Sequence, residues 1–198
     1  MPSKNKSVAG IILTGGSSTR MGKDKATLLI NGQSCSSRLA NLLSQYSYPC
    51  LEIGPGYSGL DFVLESPRFG GPLVALATAK QELETKYNYL GPVVVLACDL
   101  PFASSNLISL LVNWPSVNTV IPTLETKPQP LCARFSKDSL EIAQVLVSEG
   151  ERSMKSLFDK TKIDWIDENM WSSKIDPKEF LDIDTPLDIQ NYKIQIQN

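Results

Sequence analysis

The 198-residue chain contains no histidine. That removes Ser-His-Asp and Cys-His nucleophile schemes and the common histidine zinc sites. Any acid–base or metal chemistry must then use carboxylates, Lys, Arg or Tyr. Cys35, Cys50, Cys98 and Cys132 are widely scattered, with no C-x-x-C spacing, and read as reduced, mostly buried thiols. Charge of one sign is lacking as well: 19 Lys and Arg stand against 21 Asp and Glu, a formal net charge of −2. There is no global basic field for nucleic acid. Apolar runs such as residues 93–98 are far shorter than the roughly 20 residues needed to cross a membrane. Lys4 and Lys6 before VAGIIL mimic a secretion signal, but that apolar run stops after six residues at Thr14-Gly15-Gly16, so the cytoplasm is the expected location. Two phosphate motifs are missing too. Gly22-Lys23 lies one residue too far from Gly16 for a Walker loop, with Asp24 where its hydroxyl would stand. The dinucleotide fingerprint G-x-G-x-x-G is also absent.

What the chain does have is residues 8–26, VAGIILTGGSSTRMGKDKA. An apolar run breaks abruptly into Thr14, Gly15 and Gly16, then into small hydroxyl residues, Arg20 and Lys25. This reads as a buried strand feeding a glycine-rich loop that carries cations. Glycines let the backbone approach a ligand, and successive N–H groups form an anion-binding nest. Arg20 adds a planar fork and Lys25 a point charge. A polyphosphate is the natural ligand; a plain surface loop between strand and helix is the competing reading.

Further along, strands alternate with helices. Leu39, Leu42, Leu43 and Tyr46 follow helical spacing over residues 36–46. Residues 51–53 and 62–64 read as short strands, and Gly70-Gly71-Pro72 opens a helix, with Pro72 suited to its first position. Residues 93–97, apolar throughout, read as a central parallel strand buried on both faces. Ser104 or Ser105 caps the next helix. Strands over residues 119–122, 131–135 and 162–166 and helices over 138–147 and 153–159 follow, and Thr185-Pro186 starts a last helix. There is no repeat and no linker. The expected architecture is α/β, a three-layer Rossmann-like arrangement around a mainly parallel mixed sheet, with residues 1–198 as one domain. In such sheets, residues at the C-terminal ends of strands line the ligand crevice, which brings the Gly15 loop and Asp99 together. Asp99 reads as a magnesium ligand or as a cap of the segment that follows it.

The string LTGGSSTRMGKDKA closely resembles the L-A-G-G-x-S-x-R-M-G-x-D-K-A signature of molybdenum cofactor guanylyltransferases, within the wider GT-A-like nucleotidyltransferases, with Thr14 in place of Ala. CDLPF at residues 98–102 resembles the family's C-D-x-P-F. The resemblance runs in order along nearly the whole chain, through Glu65, Gly71-Pro72-Leu73, Pro130 and Asp184-Thr185-Pro186. It implies transfer of GMP from GTP to the terminal phosphate of molybdenum-molybdopterin, with release of pyrophosphate. It assigns nucleotide binding to Leu13, Thr14, Gly15, Gly16, Arg20, Lys25, Glu65 and Asp99. Lys25, Arg20 and Asp99 are its catalytic residues, with Mg²⁺ on Asp99. The acceptor side matches less well: Asp182 and Asp184 stand where the family has Asn, and Gln129 where it has His. Asp184 then becomes a candidate second Mg²⁺ ligand, and helix-start acids favoured by the dipole are the other reading of the pair. Glu65 is one methylene longer than the family's Asp, and Gly54 lacks the side chain of its Asn.

The implied partners are GTP and molybdopterin as substrates and transient contacts with molybdenum-insertion or target molybdoenzyme proteins. No nucleic acid and no membrane are expected. The competing functions are a sibling molybdopterin cytidylyltransferase or other small-molecule nucleotidyltransferase and, from another class, a nucleotide-binding regulatory protein without turnover. Trp165, Met170 and Trp171 read as a satellite core rather than a partner surface.

Overall fold

A computed structural model describes residues 7–15, 25–30, 32–65, 67, 70–183 and 185–191. Among them the chain begins with β1 (Ala9–Leu13), a 3₁₀ turn (Lys25–Thr27) and a small hairpin of β2 (Leu29–Ile30) and β3 (Gln33–Ser34). Then come α1 (Cys35–Tyr46), β4 (Cys50–Ile53), β5 (Phe62–Val63), α2 (Pro72–Tyr87), β6 (Val93–Ala97) and α3 (Ser105–Asn113). The second half holds β7 (Thr119–Leu124), β8 (Lys127–Pro128), β9 (Cys132–Phe135), α4 (Lys137–Ser148), α5 (Met154–Phe158), β10 (Ile163–Ile166) and α6 (Glu168–Trp171). A 3₁₀ turn (Pro177–Phe180) and α7 (Pro186–Asn191) follow.

The sheet runs β10-β7-β9-β6-β1-β4-β5, with β8 on the end of β7. β1 pairs in parallel with β4 on one side and β6 on the other, so Leu13 lies level with both Ile53 and Ala97. Only β9 runs against its neighbours in this path, antiparallel to β6 and β7. Side-chain alternation along a strand sends successive residues to opposite faces. Ile12, Val94 and Leu96 join a core with α1 and α3, whereas Ile11, Val93 and Val95 join a second core with α2 and α4. Runs apolar on every residue are what two covered faces require. The result is the expected three-layer α/β arrangement with a mainly parallel mixed sheet.

The helix starts follow the capping rules. Ser34, Ser104 and Ser136 accept backbone N–H bonds at the starts of α1, α3 and α4. Before α7, the Thr185 N–H donates to Asp188 Oδ2 at 2.6 Å, and the Asp188 N–H donates to Thr185 Oγ1 at 3.3 Å. The four cysteines are free thiols, three of them buried. Burial pushes the Cys35 thiol up to about 12 and the Cys132 thiol upward as well. Trp171 is fully buried and packs against Phe180 at 4.9 Å between ring centroids. Trp165 and Met170 depart from the expectation: they are 45% and 53% exposed. Trp165 lies on an edge strand, where one face meets Phe158 edge-on and the other meets solvent. Among the described residues no helix is long and apolar enough to cross a membrane.

Candidate active site

Three strand ends meet at one edge of the sheet. β1 runs out into Thr14 and Gly15, β6 into Cys98 and Asp99, and β4 into Gly54. The Cys98 N–H donates to Leu13 O at 3.0 Å, and the N–H groups of Thr14 and Gly15 donate to Ile53 O at 3.1 and 3.3 Å. These bonds continue both ladders by one residue and fix where each loop departs. Leu13 is thus the buried floor of the loop, and Gly15 is exposed above it.

Lys25 reaches the same edge. Its Nζ lies 3.4 Å from Asp99 Oδ2, and both side chains are largely buried. Helix α1 places both partners. Behind Lys25, Ala26 is fully buried and its carbonyl accepts from Ser36 Oγ at 2.6 Å. Behind Asp99, the Arg38 guanidinium donates to Leu100 O at 3.1 Å and Ala103 O at 2.9 Å, bracing the turn that follows the carboxylate. Ser36 and Arg38 carry no motif of their own, and only their bonds to loops far along the chain reveal this work.

The carboxy-terminal segment closes the other side of Asp99. The Ile183 N–H donates to Asp99 O at 3.0 Å, which brings Asp182 beside it. Burial pushes the Asp99 carboxyl up from its ordinary value, Lys25 opposes that shift, and the Asp182 charge adds to it. Asp99, Asp182, Gln129 and Pro130 line a shared pocket of about 210 Å³. Glu65 comes in from the β5 side, its Oε1 3.6 Å from where a Cβ on Gly15 would lie. Of the residues marked in the sequence, the structure therefore gathers Thr14, Gly15, Lys25, Glu65, Asp99 and Asp182 along one edge. Gly16, Arg20 and Asp184 lie outside the described residues.

One residue of this edge escaped the sequence reading. Glu52, on β4 between Leu51 and Ile53, is 0% exposed. The Thr14 hydroxyl donates to its Oε1. The amides of Gly56 and Tyr57 donate to the same oxygen at 2.7 and 2.9 Å, and the Ser58 amide donates to Oε2 at 2.7 Å. A lone carboxylate inside an apolar strand was the available signal, since burying a charge demands filled hydrogen bonds. Thr14 is therefore more than a tolerated neighbour of the glycines: its hydroxyl is spent on Glu52.

Chemically, the edge offers an exposed glycine at a strand end, a lysine held against a carboxylate, and a second carboxylate close enough to oppose ionisation of the first. Two neighbouring carboxylates that oppose each other's ionisation would be relieved by a divalent cation. Among the described residues no group of three or more His, Cys, Asp or Glu converges. Asp99 and Asp182 are the neighbouring carboxylates at this edge that could hold a metal ion.

A sequence profile described as a MobA-like NTP transferase domain matches residues 10–165. Among curated proteins, the chain is 26% identical over 192 residues to a probable molybdenum cofactor guanylyltransferase of Bacillus cytotoxicus, covering 91% of this chain and 93% of that protein. It is 24% identical to a molybdenum cofactor guanylyltransferase of Desulfosudis oleivorans, covering 96% of each. Among solved structures, molybdopterin-guanine dinucleotide biosynthesis protein A from Archaeoglobus fulgidus has the same fold, with a TM-score of 0.74 at 17% identity over 92% of this chain and 95% of that one.

Proposed function

The chain belongs to the MobA-like NTP transferase family, and from that premise we propose that it transfers GMP from GTP to the terminal phosphate of molybdopterin. The observation that carries this reading is the convergence of Lys25 on Asp99 at 3.4 Å beside the Gly15 strand end. In this reading an oxygen of the acceptor phosphate attacks the α-phosphorus of GTP. The new P–O bond forms as the bond to the bridging α–β oxygen breaks, and pyrophosphate leaves with that electron pair. Both reactants are anions, so their mutual repulsion is the first obstacle. Lys25 Nζ neutralises the α-phosphate as charge redistributes there. Arg20 and the Gly16 amide hold the β- and γ-phosphates, since the Gly15 N–H is taken by Ile53 O. The acceptor phosphate is already ionised, so no general base is needed, in keeping with a chain that has no histidine. Catalysis is then positioning and electrostatics.

Asp99 would hold Mg²⁺, with Asp182 as the neighbouring carboxylate, and Asp184 stays the second ligand that the resemblance suggests. When bound, the ion would supply charge neutralisation to the phosphates. The pocket shared by Asp99, Asp182 and Gln129 would take the acceptor phosphate.

The test is pyrophosphate release from GTP, CTP and ATP in separate reactions with Mg²⁺ and molybdenum-loaded molybdopterin, with product masses read afterwards. Release with GTP and a guanylated pterin is expected. Release with CTP in its place would make the chain a cytidylyltransferase. Nucleotide binding without release from any of the three would favour a different acceptor or a regulatory role.

A further inference from the structure

Glu52 joins two loops that the sheet sets side by side. Three successive amides, Gly56, Tyr57 and Ser58, wrap its carboxylate from the β4–β5 loop, and the Thr14 hydroxyl reaches it from the end of β1. Its hydrogen-bond partners among the described residues are neutral groups. A charge buried to 0% exposure on such partners is tolerated because each donor is aimed at it. Gly54 lies between the two loops with φ at +150°, and any side chain there would run into the Thr14 hydroxyl. Thr14, Glu52 and Gly54 therefore act as one unit that clamps the β4–β5 loop against the entry of the phosphate loop.

The place of this clamp gives it a task. β1 ends in the phosphate loop. The pocket with Asp99, Asp182 and Gln129 opens on the β6 and β9 side of it. In the nucleotidyl-transfer reading, a triphosphate with its α-phosphate toward that pocket would leave β4 and β5 as the side open to its nucleoside. There the clamped loop carries Tyr57, 37% exposed. A loop beside a nucleoside discriminates between bases only if it is held still, because a shift of about 1 Å is enough to lose a hydrogen bond.

We propose that Glu52 is a positioning residue that holds the Gly54–Ser58 loop in register with the Thr14–Gly15 end of β1 and thereby sets nucleotide affinity and base discrimination. The proposal rests on the nucleotidyl-transfer reading above and deepens it on the nucleoside side.

Equilibrium titrations of GTP, ATP and CTP with Mg²⁺ test it on the full-length wild type, Glu52→Gln and Thr14→Val, each well below its own melting temperature. Glutamine presents an N–H₂ to donors that now meet a carboxylate oxygen, and valine removes the Thr14 hydroxyl at nearly constant volume. The expected result is that the preferred nucleotide binds about tenfold more weakly to Glu52→Gln and about threefold more weakly to Thr14→Val. The ratio of preferred to disfavoured nucleotides should shrink in both. A purely structural role would leave that ratio untouched in the folded fraction. Wild-type affinities and ratios in both variants would overturn the proposal, and so would a uniform loss for all three nucleotides. If Glu52→Gln fails to fold, Thr14→Val decides alone by the same comparison. A wild type that prefers CTP would overturn the guanylyl reading and leave Glu52 to be judged by the same ratio. A wild type that binds none of the three would overturn both.

Discussion

At the scale of single residues, Lys25 and Asp99 carry the proposed chemistry, and their 3.4 Å approach defines what each removal should do. Lys25→Ala is expected to lower single-turnover transfer by about a hundred- to a thousandfold, the loss of roughly 3–4 kcal/mol of preorganised stabilisation. An unchanged rate in that variant would remove Lys25 from the mechanism. Both residues were legible beforehand, Lys25 from its place after the glycines and Asp99 from its place at the end of an apolar run. Glu52 was not, because its donors come from a loop that folds back on it and from Thr14, 38 residues earlier. Its pH behaviour is equally specific. Burial pushes the Glu52 carboxyl up, but the bonds from Ser58, Thr14 and Tyr57 outweigh burial and hold its pKa below the ordinary 4.5. A lowered folded pKa contributes stability in full above that ordinary value, and the contribution is lost as pH falls through the folded one. Urea midpoints of wild type and Glu52→Gln should therefore be separated at about pH 7 and converge as the pH falls below 4.5. A gap that stays constant down to about pH 3 would show that the clamp does not depend on the charge.

At the scale of elements, α3 shows how a short helix is anchored at both ends. Ser104 caps its start, and the Ser104 N–H donates to Glu179 Oε2 at 2.9 Å. Beyond its last turn, Arg134 of β9 donates to the carbonyls of Val112, Trp114 and Ser116 at 3.3, 2.9 and 2.7 Å. Burial lowers the Arg134 pKa, and the Asp164 charge works against that. Removing this cation leaves helix-end carbonyls without partners, so Arg134→Ala should cost about 3 kcal/mol in urea unfolding. Arg134 pairs with Val94 near the start of β6, the end of the sheet remote from Asp99. Nucleotide affinity and turnover, measured below the melting temperature, should thus stay within about twofold of wild type; a larger loss would place Arg134 in communication with the cleft. Legibility at this scale tracked element length. Helices α1, α3 and α4 have enough residues to show a period, and β1 and β6 show unbroken apolar runs. The four-residue α6 and the two-residue strands of the β2–β3 hairpin and β8 show neither, and they rest on local bonds, the Asp167 cap of α6 and the short β2–β3 and β7–β8 pairings.

At the scale of the whole molecule, the two cores share their central strands. Residues of β1 and β6 alternate between the α1–α3 face and the α2–α4 face, so neither helical layer can leave without stripping strands that the other layer needs. The carboxy-terminal segment is tied to the same body through Ile183 on Asp99 O, Glu179 on Ser104 N, and Phe180 against Trp171. We propose on these grounds that residues 1–198 form one cooperative domain, the organisation expected from a sequence without a linker. The tryptophans make this testable from both sides: Trp114 and Trp171 belong with the α1–α3 core, and Trp165 packs on Phe158 beside the other. Tryptophan fluorescence and far-ultraviolet circular dichroism should therefore trace one coincident urea transition. Saturating nucleotide should move that whole transition, by about 2.7 kcal/mol at a hundred times its dissociation constant. Two separated transitions, with only one of them moved by nucleotide, would mean that the layers unfold independently. The alternation along β1 and β6 would then be insufficient to couple them.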